Sequence, residues 1–149
     1  MDSFRADLKT IFSNLPSQPP MSLRGGNAVD DCEDAPAFDP EVDRITPEYF
    51  ETYFWGISHL DSLSWRFYLP HFLAYALQNI ANPSNAVDAF LFSLRPPDRN
   101  PPRFGALTPT EEQAVSDVLD KLAFSEESVW QEPAMIALEE YWAPGATYR

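Results

Sequence analysis

The chain has a single cysteine, Cys32, so it can form no internal disulfide, and the cytoplasm is the simplest setting for it. Long apolar runs are also missing. The longest unbroken one is Phe72 to Leu77, far below the roughly 18 residues that a membrane span needs. The opening MDSFRADLKTIF has acids near its start and no apolar core of signal-peptide length. No membrane partner is expected. Lysine is scarce, with only Lys9 and Lys121, and 10 basic residues face 23 acidic ones. A net charge of −13 disfavours nucleic acid and anionic lipid, and it suits either a basic partner or solubility alone. No stretch alternates apolar and polar residues over a useful length, so no sheet is expected.

Catalytic motifs are equally sparse. His59 and His71, the two histidines, lack the i, i+4 spacing of a paired metal site and have no cysteine nearby. There is no Gly-x-Ser-x-Gly elbow, and the Gly25-Gly26 pair stands alone rather than in a phosphate loop. Asp30, Asp31, Glu33, Asp34, Asp39, Glu41 and Asp43 are rich in oxygen ligands, but their spacing is not that of an EF-hand. Neither a metal nor a cofactor is expected. The one catalytic alternative is a small enzyme of unstated reaction using His71 with Tyr68 or Arg66 beside Pro70.

What the sequence does contain is helical patterning. Leu63 to Ile80 carries apolar residues at Trp65, Leu69, Phe72, Leu73, Ala76, Leu77 and Ile80, one helical face. Phe67, Tyr68, Ala74 and Tyr75 add apolar surface elsewhere, as a helix surrounded by others requires. Pro70 within it predicts either a separate turn over 62–69 or a kink. Residues 2–15 read as an amphipathic helix with Phe4, Leu8, Ile11, Phe12 and Leu15 on one face, capped by Asp2 or Ser3. Thr46-Pro47-Glu48 and Thr108-Pro109-Thr110-Glu111 are helix starts, the second with capping-box spacing. Asp61 or Ser62 can cap the central helix, and Ser84 a short one after it. Pro133 starts or kinks the last helix.

Fifteen prolines punctuate these segments rather than dissolve them, and an apolar fraction of 44% suffices for a core. The fold class is therefore all-α: a single compact domain of about six helices around a central apolar one. The organisation is an N-terminal helix (1–15), an acidic Pro/Gly-rich loop or linker (16–45) and a helical core (46–149). The stretch 95–105, RPPDRNPPRFG, is locally basic and extended, crossing the surface to pair with the acidic remainder.

Two stretches resemble a family of small uncharacterised bacterial proteins. One is Trp65-Arg66-Phe67-Tyr68-Leu69-Pro70-His71-Phe72-Leu73. The other is Phe104-Gly105-Ala106-Leu107-Thr108-Pro109-Thr110-Glu111-Glu112-Gln113-Ala114-Val115, with one extra residue before its Glu-Gln. The resemblance spans about residues 46–142 and implies a shared fold, with no activity to transfer.

The leading functional expectation is a non-enzymatic acidic protein that neutralises a basic protein partner, as an immunity protein plugs a toxin's basic site. Its contacts would be Asp30, Asp31, Glu33 and Asp34, with Glu111, Glu112, Asp117 and Asp120 as a rigid alternative. Aromatic anchors would be Tyr49, Trp55 and Trp130, which lie off the clearest buried stripes. A self-associating scaffold, such as a homodimer, is a further alternative.

Overall fold

A computed structural model describes residues 2–149, with side chains from Asp7 onward. The proposed Phe4 contact and the Asp2 or Ser3 cap lie outside the described side chains. The fold is all-α, with seven α-helices and no strand among the described residues. In chain order these are α1 (Asp2–Ile11), α2 (Leu23–Asp30), α3 (Pro47–Tyr53), α4 (Ser62–Gln78), α5 (Asn85–Ser93), α6 (Pro109–Phe124) and α7 (Gln131–Ala137). A 3₁₀ turn, Phe54–His59, continues α3, and a π-helical turn, Leu138–Trp142, ends α7. Among the described residues, no helix is long and apolar enough to cross a membrane.

Side-chain caps start α3 to α6. Thr46 accepts from the Tyr49 N–H, Asp61 from Ser64, Ser84 from Val87 and Thr108 from Glu111. Each satisfies a donor that the first helical turn leaves unpaired. α4 runs continuously through Pro70 rather than breaking into two pieces. It packs against α1, α5 and α6, burying Trp65, Tyr68, Leu69, Phe72, Leu73 and Leu77. Phe72 stacks between Phe50 of α3 (4.3 Å) and Phe90 of α5 (5.1 Å). Burying each such ring stabilises the fold by about 1.5–3 kcal/mol.

One expectation is corrected here. Residues 16–45 are not solely loop, because they contain α2. Ser22 caps it by accepting from the Gly25 N–H. Gly26 is required by a crossing: a Cβ there would sit 2.5 Å from the Gly56 carbonyl oxygen on the 3₁₀ turn, so the two backbones touch.

A buried polar network fixes α2 from the other side. Arg24 donates to both Asp43 oxygens (2.9 and 3.0 Å), and the Tyr49 hydroxyl donates to Asp43 at 2.7 Å. The Leu23 and Arg24 N–H groups donate to the Tyr68 and Tyr49 hydroxyls. The Asp43 carboxylate has a fully buried side chain. Desolvation alone would raise its pKa, but the bonds from Arg24, the Asp39 N–H and Tyr49 outweigh it and hold the pKa below its usual value. The segment 16–45 is thus pinned through the first half of α2 and at Asp43, while its middle, Asp31 to Ala35, is exposed.

Candidate functional site

The residues proposed as contacts separate sharply by exposure. Asp30, Asp31, Glu33 and Asp34 are all exposed at the end of α2 and just beyond it. Asp30 accepts from the His59 ring at 2.9 Å, which ties the acidic segment to the end of the 3₁₀ turn. On α6, Asp117 and Asp120 are exposed. Asp117 accepts from Gln113, and Glu112 is half-buried in an ion pair with Arg149.

Glu111 does not belong to that surface. It is 1% exposed, accepts from the Thr108 N–H in the capping box, and pairs with Arg66 through both carboxylate oxygens. The helix start that made Glu111 visible in the sequence is also what takes it inside. Two aromatic anchors are corrected as well. Tyr49 is spent in the Asp43 network, where burial pushes its hydroxyl well above the ordinary phenol range, so it remains a donor. Trp130 is buried and donates its indole N–H to the Asn79 carbonyl at 2.8 Å. Trp65 and Trp142 are likewise buried with their N–H groups bonded. Trp55 alone among the four tryptophans is exposed, at 61%. It sits on the same 3₁₀ turn that His59 ties to Asp30.

Trp55 also lines a cleft of about 850 Å³, a size that holds a small molecule. Its walls come from the 3₁₀ turn, one face of α5, the start of α7 and the Pro-rich stretch after α5. Phe92, 71% exposed, stands on the α5 wall. The Pro-rich stretch is shaped by Asp98, whose carboxylate accepts from the N–H groups of Arg99, Arg103, Phe104 and Gly105 at 2.7–2.9 Å. Those four donors outweigh desolvation and hold the Asp98 pKa below its usual value.

The arginines expected to pair with the acidic remainder do so unevenly. Arg95 forms a forked pair with Glu140 (2.7 and 2.9 Å). Arg103 is only 3% exposed and has no ion pair among the described residues. Its Nη2 donates to the Ile57 and Leu60 carbonyls (3.0 and 2.5 Å), and its guanidinium lies over the Trp65 ring. Its Nε is buried without a partner. Burial, together with the Arg99 charge, brings the Arg103 pKa down to about 10, so it remains cationic at neutral pH. Sequence alone could not single out Arg103, since three arginines share one short stretch.

The residues of the catalytic alternative are committed elsewhere. The Tyr68 hydroxyl serves the Asp43 network, and Arg66 serves Glu111. His71 instead lines a second cleft of about 470 Å³ between α1, α3 and α4, with Lys9, Phe12 and Phe50. Desolvation by these walls and the Lys9 charge lower its pKa. Among the described residues, no group of three or more His, Cys, Asp or Glu side chains is placed to hold a metal ion.

Neither a curated protein nor a solved structure matches the chain. A family model does match, over residues 1–146, and the chain belongs to that family, DUF6714, a family of unknown function.

Proposed function

We propose that this protein is a non-enzymatic binding protein of the cytoplasm that neutralises a basic protein partner, in the manner of an immunity protein against a toxin effector. The observation that supports this reading best is the pairing of Asp30, Asp31, Glu33 and Asp34, all exposed, with the one exposed tryptophan. Both flank the crossing of α2 with the 3₁₀ turn at Gly26 and Gly56, and His59 of that turn bonds Asp30. Interfaces draw most of their binding energy from a few aromatic and charged anchors, and Trp55 is of the type most enriched among them. An acidic field accelerates encounter with a basic surface and discriminates against acidic competitors. Asp117 and Asp120 extend that field from α6.

The test is affinity capture from the source cell's lysate with three baits: wild type, the Asp30/Asp31/Glu33/Asp34→Ser variant, and Trp55→Ala. All substituted side chains are exposed, so the fold is expected to persist. The expected result is one basic protein retained by wild type and lost from both variants. Equal retention by all three baits would remove this surface from the function.

A further inference from the structure

We propose that the cleft between the 3₁₀ turn, α5 and the Pro-rich stretch is a binding site for a small apolar monocarboxylate, with Arg103 and Arg99 as its anion anchors. This inference shares Trp55 with the acidic surface but rests on other residues. It stands on a buried cation that no carboxylate contacts among the described residues, with the Asp98 and Asp61 charges acting on it only from further off. A guanidinium removed from water is normally matched by a carboxylate, because an uncompensated buried charge is costly. Arg103 has two backbone carbonyls on one nitrogen, no carboxylate at ion-pair distance, and a buried Nε without a partner. It lines the cleft while only 3% exposed, so its charge acts on a ligand anion from within the wall and Arg99 supplies the accessible donors. Arg99 is exposed, lines the same cleft, and makes no side-chain bond among the described residues.

The chemistry of the ligand follows from what else is free. Phosphate groups favour backbone N–H nests. Here the nest formed by residues 99 and 103–105 is already filled by the Asp98 carboxylate. What remains is the planar fork of Arg99, which suits a carboxylate, while the exposed Asp88 carboxylate on the α5 wall disfavours a ligand with more than one negative charge. Trp55 and Phe92 line the same cleft and are exposed, with the Arg95 guanidinium 5.8 Å from the Phe92 ring centre. An acid with a flat apolar body fills both requirements, and the volume fits a molecule of that size.

Calorimetry with 2-naphthoate as the probe tests the assignment on the intact protein, with 2-naphthamide as its uncharged counterpart. The expected result is binding of the acid, with the amide weaker by about tenfold or more. Phe92→Ala should weaken both probes, and Arg103→Gln should abolish the preference for the acid. Because Arg103 also holds the 3₁₀ turn, Arg99→Gln provides a second reading that leaves the fold intact, and it should reduce the same preference. No heat of binding up to about 1 mM naphthoate would overturn the proposal, as would equal affinity for acid and amide. Tighter binding of the peptide acetyl-Gly-Gly-Phe than of naphthoate would reassign the cleft to chain termini. Since none of these variants touches Asp30 to Asp34, failure here leaves the basic-partner reading standing, and the reverse also holds.

Discussion

Gly56 has no room for a methyl group. A Cβ there would run into the Leu23 carbonyl, and backbone cannot rotate aside as a side chain does. Gly56→Ala should therefore destabilise the protein by at least about 2 kcal/mol in urea unfolding, whereas Gly145→Ala should cost far less, since nothing lies within 4 Å of it and only its positive φ resists. Asp43 poses a different demand at the same scale. Its folded pKa is depressed, so the unfolded chain takes up its proton first as pH falls. The stability it adds is complete above the unfolded carboxylate pKa of about 3.9 and is lost as pH drops through the folded value. Wild type should lose more of its urea midpoint between about pH 5 and pH 3 than Asp43→Asn does, and identical profiles would rule out the network as a source of stability. Neither residue was legible in the sequence. Gly56 carries no local signal and Asp43 is one more acid in a charged loop, because what distinguishes each is a neighbour distant in the chain.

Elements fared better where their signals were local. The Thr46, Ser84 and Thr108 starts needed only the adjacent residues, and each forms the side-chain cap its sequence announces. Thr108→Ala should cost about 1 kcal/mol, the usual worth of a cap. Glu111→Ala should cost more, because it removes half of the capping box and also leaves Arg66 without its carboxylate. Thermal unfolding of the two variants orders them, and a smaller loss for Glu111→Ala would contradict the buried pair. α2 escaped notice for the opposite reason. Two adjacent glycines ordinarily weaken a helix by about 1 kcal/mol each, and only the crossing with the 3₁₀ turn makes the second of them, Gly26, an advantage. Pro70 left two geometries open in the sequence, and packing of α4 on α1, α5 and α6 decides for one continuous helix.

At the scale of the whole molecule, charge is the dominant property. Five arginines, Arg24, Arg44, Arg66, Arg95 and Arg149, are already engaged with carboxylates, so they offer little to the acids left exposed at Asp30 to Asp34 and on α6. Those acids repel one another, and salt screens the repulsion. Added salt should therefore raise the melting temperature of the isolated protein while weakening its hold on a basic partner. The acidic balance was plain from composition. The selection of Trp55 from among three aromatic candidates was not, because Tyr49 and Trp130 differ from it in burial rather than in local sequence. The most direct test of the central claim is affinity capture from the source cell's lysate at low and at high salt, with retained proteins identified by mass spectrometry. The account predicts one basic protein, bound at low salt and released as salt rises. Retention of nothing at either salt, or of a partner indifferent to salt, would contradict it.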